Sequence, residues 1–320
     1  MDVLVEADRL RKTFGPIVAV DDISLKVAKG EVLGFLGPNG AGKSTTMKML
    51  VGFLEPDSGS ARICGKSVAE QPKQAKVRIG YLPEGAPAYG DMTVGSFLKF
   101  IAEIRGFNGG DLRDRIAASV ARTGLHDVID QRIETLSKGF KRRVGLAQAI
   151  LHEPAVLIMD EPTDGLDPNQ KHHVRSLIAD MAKDKAIIVS THILEEVEAV
   201  CTRAVVIDRG RIVADGTAEE LQRRMPYHNA VCLELDAAKA DAAVAALSAL
   251  PMVARVERIA STNAHAKLRA FSKGNVPIAT EVATVLSQQA LPVAEMHVER
   301  GRLDEVFRQI TTHEASSQNA

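Results

Sequence analysis

Cysteine is scarce in this 320-residue chain, and the three present, Cys64, Cys201 and Cys232, stand far apart with no CxxC or Cys/His spacing. No disulfide framework or sequence-local zinc site is expected, and reduced cytosolic thiols are the better reading. An excess of charge of one sign is also lacking: 40 Lys and Arg against 41 Asp and Glu leave a net charge of −1. A broad basic face for nucleic acid is therefore not expected. Long apolar runs are missing as well, none approaching the roughly 18 residues that span a bilayer. The opening Met1-Asp2-Val3-Leu4-Val5-Glu6 is acidic and interrupted, unlike a secretory leader. A soluble chain is the expectation, and any membrane process would need another polypeptide to supply the membrane part.

What is present is enough apolar sequence for two domains. Glu31–Leu36 reads as a buried strand, followed by a Gly-rich turn and a helix from Lys43 towards Val51. Ala155–Met159 and Ala186–Ser190 are two further apolar runs, with a helical pattern from Asn169 to Lys183 between them. Strands alternating with helices predict an α/β fold built on a parallel sheet. Thr93–Leu151 has helical periodicity and almost no strand signal, as a helical insertion would. The pattern changes after about Arg224: strand Val231–Leu235, helix Ala237–Leu250, strands Val253–Ile259 and Ala264–Ala270, helix Val276–Gln289, strand Pro292–Val298. That β-α-β-β-α-β order predicts a smaller α+β, ferredoxin-like domain over 225–320, after a first domain over 1–224. A closing helix, Leu303–Ile310, and a frayed polar tail, Ser316–Ala320, complete the reading.

Gly37-Pro38-Asn39-Gly40-Ala41-Gly42-Lys43-Ser44 fits G-x-x-x-x-G-K-[ST]. Glycines let the backbone curl so that its N–H groups face phosphate oxygens, and the helix that follows adds its positive end. In this pattern Lys43 reaches the β- and γ-phosphates and the Ser44 hydroxyl ligates Mg²⁺. Asp160-Glu161 ends a buried run, where one carboxylate can serve Mg²⁺ and the next can polarise a water. Alone, the Asp would read as a helix cap. Leu136-Ser137-Lys138-Gly139-Phe140-Lys141-Arg142-Arg143 opens a helix. Ser137 is either a plain N-cap or, with Gly139 and the basic residues after it, a place where backbone approaches phosphate.

Together these residues resemble the ABC-type ATPase family from about Leu4 to Leu221. The resemblance implies a P-loop ABC ATPase core, with 37–44 as Walker A (Thr45 following) and Val156–Asp160 as Walker B. It implies Glu161 as catalytic base and 136–140 in the place of the LSGGQ signature. It makes Asp164-Gly165-Leu166-Asp167 the D-loop, His192 the switch histidine, and Phe14 the ring stacked on adenine. Ile79-Gly80-Tyr81-Leu82-Pro83-Glu84-Gly85-Ala86-Pro87-Ala88-Tyr89, the Lys-Gly-Phe signature and the closing Leu303–Phe307 resemble ATPases of ABC-2 type exporters, including the gliding-motility-like group. Lys138 and Phe140 depart from the usual Gly and Gln, and Glu84 stands where many relatives carry Gln, a position that meets Mg²⁺ or its waters.

The same resemblance implies an ATP- and Mg²⁺-dependent ATPase. It works as a head-to-tail dimer in which Ser137 and Gly139 contact the ATP of the opposite copy. A separate transmembrane permease is its partner, and its place is cytoplasmic, peripheral on the inner face of the membrane. The competing reading is a soluble ABC ATPase acting on ribosomes or DNA; such relatives carry two cassettes or long coiled-coil insertions, and neither is visible here. A regulatory nucleotide-binding module without turnover is a second rival, against which Glu161 and His192 count.

Overall fold

The computed structural model describes residues 2–225, 227–262, 264–299, 301 and 303–308. The chain divides into two compact units, Met1–Asp215 and Gly216–Ala320.

The first unit opens with β1 (Val3–Phe14), β2 (Ile17–Ala28), β3 (Val32–Leu36), α1 (Lys43–Leu50), β4 (Ser58–Ile63), β5 (Lys66–Ser67), α2 (Pro72–Lys76) and β6 (Ile79–Leu82). It continues through α3 (Val94–Ile104), α4 (Gly109–Thr123), α5 (Lys138–Ile150), β7 (Val156–Asp160) and α6 (Pro168–Ala182). β8 (Ala186–Thr191), α7 (Leu194–Val200), β9 (Arg203–Asp208) and β10 (Arg211–Gly216) close it. Two sheets form, ordered β2-β1-β4-β5 and β10-β9-β3-β8-β7-β6. The first pairs antiparallel throughout, whereas β9, β3, β8, β7 and β6 run parallel.

The parallel strands β3, β7 and β8 are buried along their whole length, as strands covered on both faces must be. One face packs with Met47 and Leu50 of α1 and with Val5, Leu10 and Ile23 of the antiparallel sheet. The other packs with Leu146 and Ile150 of α5 and Val174 and Ile178 of α6. The helical segment has its own core of Val94, Phe97, Leu98, Leu112 and Val120, and α5 adds Val144 and Ala147 to it. α5 is thus no simple part of an insertion: one side belongs to the sheet and the other to the helical layer.

In the second unit α8 (Ala218–Gln222), held by a Thr217–Glu220 capping box, precedes β11 (Ala230–Asp236), α9 (Ala240–Ser248), β12 (Val253–Ser261), β13 (His265–Ser272), α10 (Ala279–Gln288) and β14 (Val293–Glu299). The sheet order β12-β13-β11-β14, antiparallel throughout, is that of a ferredoxin-like unit. Both helices cover one face, around Val231, Leu233, Leu247, Leu268 and Val282. α10 starts at Ala279 and not Val276, because Pro277 keeps the residue before it extended, with Val276 at φ −76° and ψ 140°. Residues 216–224 fall in this unit, and Asn275 Nδ2 donates to the Arg223 carbonyl at 2.6 Å. Residues 303–308 are helical; positions 309 and 310 of the expected closing helix, and the tail 316–320, lie outside the described residues.

Candidate active site

Parallel pairing sets the carboxyl ends of four strands side by side. Leu36 aligns with Thr191, Asp160 with Ser190 and Leu82 with Met159. The segments that follow β3, β6, β7 and β8 carry the Gly-rich loop, Glu84, Glu161 and His192. Ligands of open α/β sheets bind at this edge.

A cleft of about 260 Å³ opens there. Asn39, Gly40, Gly42, Lys43, Ser44 and Thr45 form one wall, Glu84, Asp160 and Glu161 another, and Ala19 of β2 contributes a third side. Gly40 has φ +83° with nothing within 4 Å of a Cβ placed on it, so its left-handed turn leaves the backbone open to a ligand. At Gly42, φ +104°, a Cβ would lie 2.3 Å from the Ala19 carbonyl oxygen, so only glycine lets the loop press on β2. Gly37 is equally tight, a Cβ there falling 2.4 Å from the Ile207 carbonyl oxygen. The Pro38 carbonyl accepts from Ala41 N–H at 3.2 Å, closing the loop.

Lys43 is 7% exposed and its Nζ donates to the Gly37 carbonyl at 2.7 Å and the Pro38 carbonyl at 3.1 Å. Burial pulls its pKa down, and Glu161, Asp160 and Glu84 push against that shift. Asp160 is buried and accepts a hydrogen bond from the Ser190 hydroxyl. Glu161 sits in the left-handed region, φ +50°, where a non-glycine residue is strained. Its N–H donates to the Ser190 carbonyl and hydroxyl oxygens, both at 3.1 Å. Its Oε1 lies 2.9 Å from Nδ1 of His192. The Tyr81 phenol is buried without a hydrogen-bond partner, and burial together with Asp160 and Glu84 pushes it up to about 12.

Several expected site residues lie outside this cleft. Phe14, at the end of β1, is 48% exposed with Lys12 Nζ 5.9 Å from its ring centroid. Ser137 caps α5, its hydroxyl accepting from Phe140 N–H at 3.4 Å, and Phe140 stacks under Arg143 at 4.0 Å. Gly139 is buried against Gln170, whose Oε1 would be 2.4 Å from a Cβ there. Asp167 caps α6 by accepting from Gln170 N–H at 2.9 Å.

Other residues join the site without having been singled out by the sequence. Arg142 is buried and donates to the carbonyls of Asp160, at 2.6 Å, Glu161, and Pro83, at 3.2 Å. Glu196, also buried, accepts from the hydroxyls of Thr163 and Thr191, the latter at 2.8 Å, and so ties the loops after β7 and β8 together. Only the basic run at 141–143 and an acid four residues after His192 hinted at either.

What this edge builds is a nucleoside-triphosphate site of the phosphate-loop class. Residues 20–164 match the family model described as ABC transporter. The Nod factor export ATP-binding protein I of Ralstonia nicotianae is 31% identical over 97% of this chain and 94% of its own. The linearmycin resistance ATP-binding protein LnrL of Bacillus subtilis is 30% identical over 96% of this chain and 98% of its own. A solved ATP-binding subunit of an ABC transporter superposes with a TM-score of 0.64 at 31% identity, over 69% of this chain and 92% of that one. The chain belongs to the ABC transporter family as an ATP-binding subunit, and its activity is that of an ATPase. Among the described residues no helix is long and apolar enough to cross a membrane.

Proposed function

We propose that this ATPase drives export through a separate transmembrane permease, binding ATP between two copies of the chain on the cytoplasmic side of the membrane. The observation that carries the shared site is a division of labour: Lys43, Ser44, Asp160 and Glu161 meet in one cleft, while Ser137 stands exposed away from it on the cap of α5. A second copy, placed head to tail, would supply Ser137 and Gly139 to the γ-phosphate, with Asp167 near the same seam. Export is favoured by the names of relatives matched along nearly their whole length, one an ATP-binding protein of Nod factor export and one of linearmycin resistance. The second unit, from Gly216, serves as an accessory domain.

The chemistry follows from positions. Backbone N–H groups of 39–42 and the start of α1 cradle the phosphates, with Asn39 and Ala41 as part of the cradle and Pro38, which has no N–H, shaping the turn that leads into it. Lys43 turns from the loop carbonyls to the β- and γ-phosphate oxygens. Ser44, Asp160 and Glu84 present the hard oxygen ligands that suit Mg²⁺. That ion, when bound, neutralises charge on the phosphates. Glu161 orients the attacking water and His192 holds the Glu161 carboxylate and faces the γ-phosphate. Phe14 offers its exposed ring to adenine.

Mixing two inactive variants tests the shared site. Lys43→Ala spoils the phosphate loop and Ser137→Arg spoils the signature. A mixed dimer still contains one intact pairing, so the mixture should recover ATPase activity that neither variant shows alone. No recovery, with dimers demonstrably formed, would rule out a site shared between copies.

A further inference from the structure

The open face of the C-terminal sheet carries a set of side chains that the ATP cleft does not use. Along β11, Val231, Leu233 and Leu235 enter the helix-covered core, which turns Cys232 to the opposite face. Cys232 is paired in register with His297 of β14 and Arg269 of β13. Glu299 follows His297 by two positions, and period-two alternation sets it on the same face. The Cys232 sulfur, a His297 ring nitrogen and a Glu299 carboxylate oxygen all lie within 4.8 Å of one another. They line a cleft of about 210 Å³ in which Cys232 is buried and His297 is exposed. One Glu299 oxygen accepts from Arg269 Nη2 at 2.8 Å, and the same carboxylate pairs with the Cys232 thiol beside it. A divalent cation would take the place of the thiol proton between the sulfur and the carboxylate.

We propose that Cys232, His297 and Glu299 bind one divalent transition-metal ion, Zn²⁺ by preference, on the accessory domain. A thiolate, an imidazole and a carboxylate are the donors that select Zn²⁺ over Mg²⁺ or Ca²⁺. Two anionic donors match the charge of a divalent ion, and the Arg269 guanidinium is already paired to Glu299 and fixes how that carboxylate points. The donors come from two hydrogen-bonded strands, so the backbone sets their spacing, and rotation of the exposed His297 closes the remaining distance. Three protein donors leave a fourth position towards solvent, beside Glu295, whose Oε1 lies 3.5 Å from His297 Nδ1. On binding, the Cys232 S–H bond breaks, a metal–sulfur bond forms, and the proton leaves to solvent.

Titrating the metal-stripped full-length chain with Co²⁺ tests this directly, because a cobalt–thiolate bond gives a near-ultraviolet charge-transfer band that oxygen sites cannot. The band should saturate at one Co²⁺ per chain, be displaced by Zn²⁺, and persist when Mg²⁺ and ATP fill the nucleotide cleft. Cys232→Ser should abolish it while ATPase activity is retained, and His297→Ala should weaken Co²⁺ binding by roughly tenfold or more. Absence of the band at saturating Co²⁺, or a band that survives Cys232→Ser, would overturn the assignment.

Discussion

Arg142 holds the backbone of Glu161, not its carboxylate. The guanidinium donates to the carbonyls of Asp160 and Glu161 and, through its other nitrogen, to that of Pro83. One side chain on α5 thereby fixes the strained φ +50° of Glu161 and joins it to the loop after β6. Burial lowers the pKa of this arginine, and Asp164, Asp160 and Glu161 favour its charge. Arg142→Met should leave those carbonyls unsatisfied, reducing kcat about tenfold or more through a displaced Glu161 and costing about 2–3 kcal/mol of stability. Steady-state ATPase rates beside urea unfolding would measure both. An unchanged kcat would show that Glu161 keeps its position without Arg142.

Glu161→Gln preserves shape and removes the charge that polarises water. ATP affinity should be kept, turnover should fall by about a hundredfold or more, and an ATP-bound dimer should accumulate on size exclusion. Lys43→Ala should fail earlier, at nucleotide binding, because it takes away the only side-chain cation of the loop. Near-normal turnover in Glu161→Gln would remove Glu161 from the chemistry.

Glu84 sits in the cleft wall at the head of a segment that runs to Tyr89, which is 56% exposed and edge-on to Phe97 and Phe100 with centroids 6.3 and 5.6 Å away. If that segment carries the contact to a permease, Glu84→Ala should lower basal ATPase only modestly and remove most of the stimulation by the reconstituted membrane subunit. Equal fractional losses in both rates would confine Glu84 to the chemistry.

His152 supplies a pH dependence of stability. Its Nε2 lies 2.9 Å from the Ile79 carbonyl, which requires a protonated Nε2, and its Nδ1 is buried without a partner. Burial, then Arg105, pull its pKa from 6.5 to about 4. Between those values the unfolded chain binds a proton that the folded chain does not. Stability should therefore be full above about pH 6.5 and decline as pH falls towards 4. His152→Gln, which keeps a donor for Ile79, should flatten that part of the profile in thermal melts taken at fixed pH steps. A slope identical to that of the parent chain would mean His152 does not contribute.

Local signals carried much of this protein. The strand–loop–helix around Lys43 was legible because glycine spacing and an apolar run are properties of consecutive residues. The alternation of β and α elements along the chain was legible for the same reason, down to the β-α-β-β-α-β order that begins at β11. The displaced helix start at Ala279 came from Pro277, whose constraint on Val276 acts within two residues.

The sequence by itself determined the phosphate loop, the parallel sheet and the acid pair Asp160-Glu161, since each rests on covalent neighbours and on side-chain period. Tertiary structure alone decided which distant groups share a site. Strand register brings Ser190 to Asp160 and His192 to Glu161, and it places α5 so that Arg142 reaches three carbonyls from two loops. It also sets Cys232 opposite His297, two residues whose separation along the chain follows no ligand motif. Hydrogen bonds and ion pairs act over about 3 Å in space, and only folding turns separation along the chain into that distance.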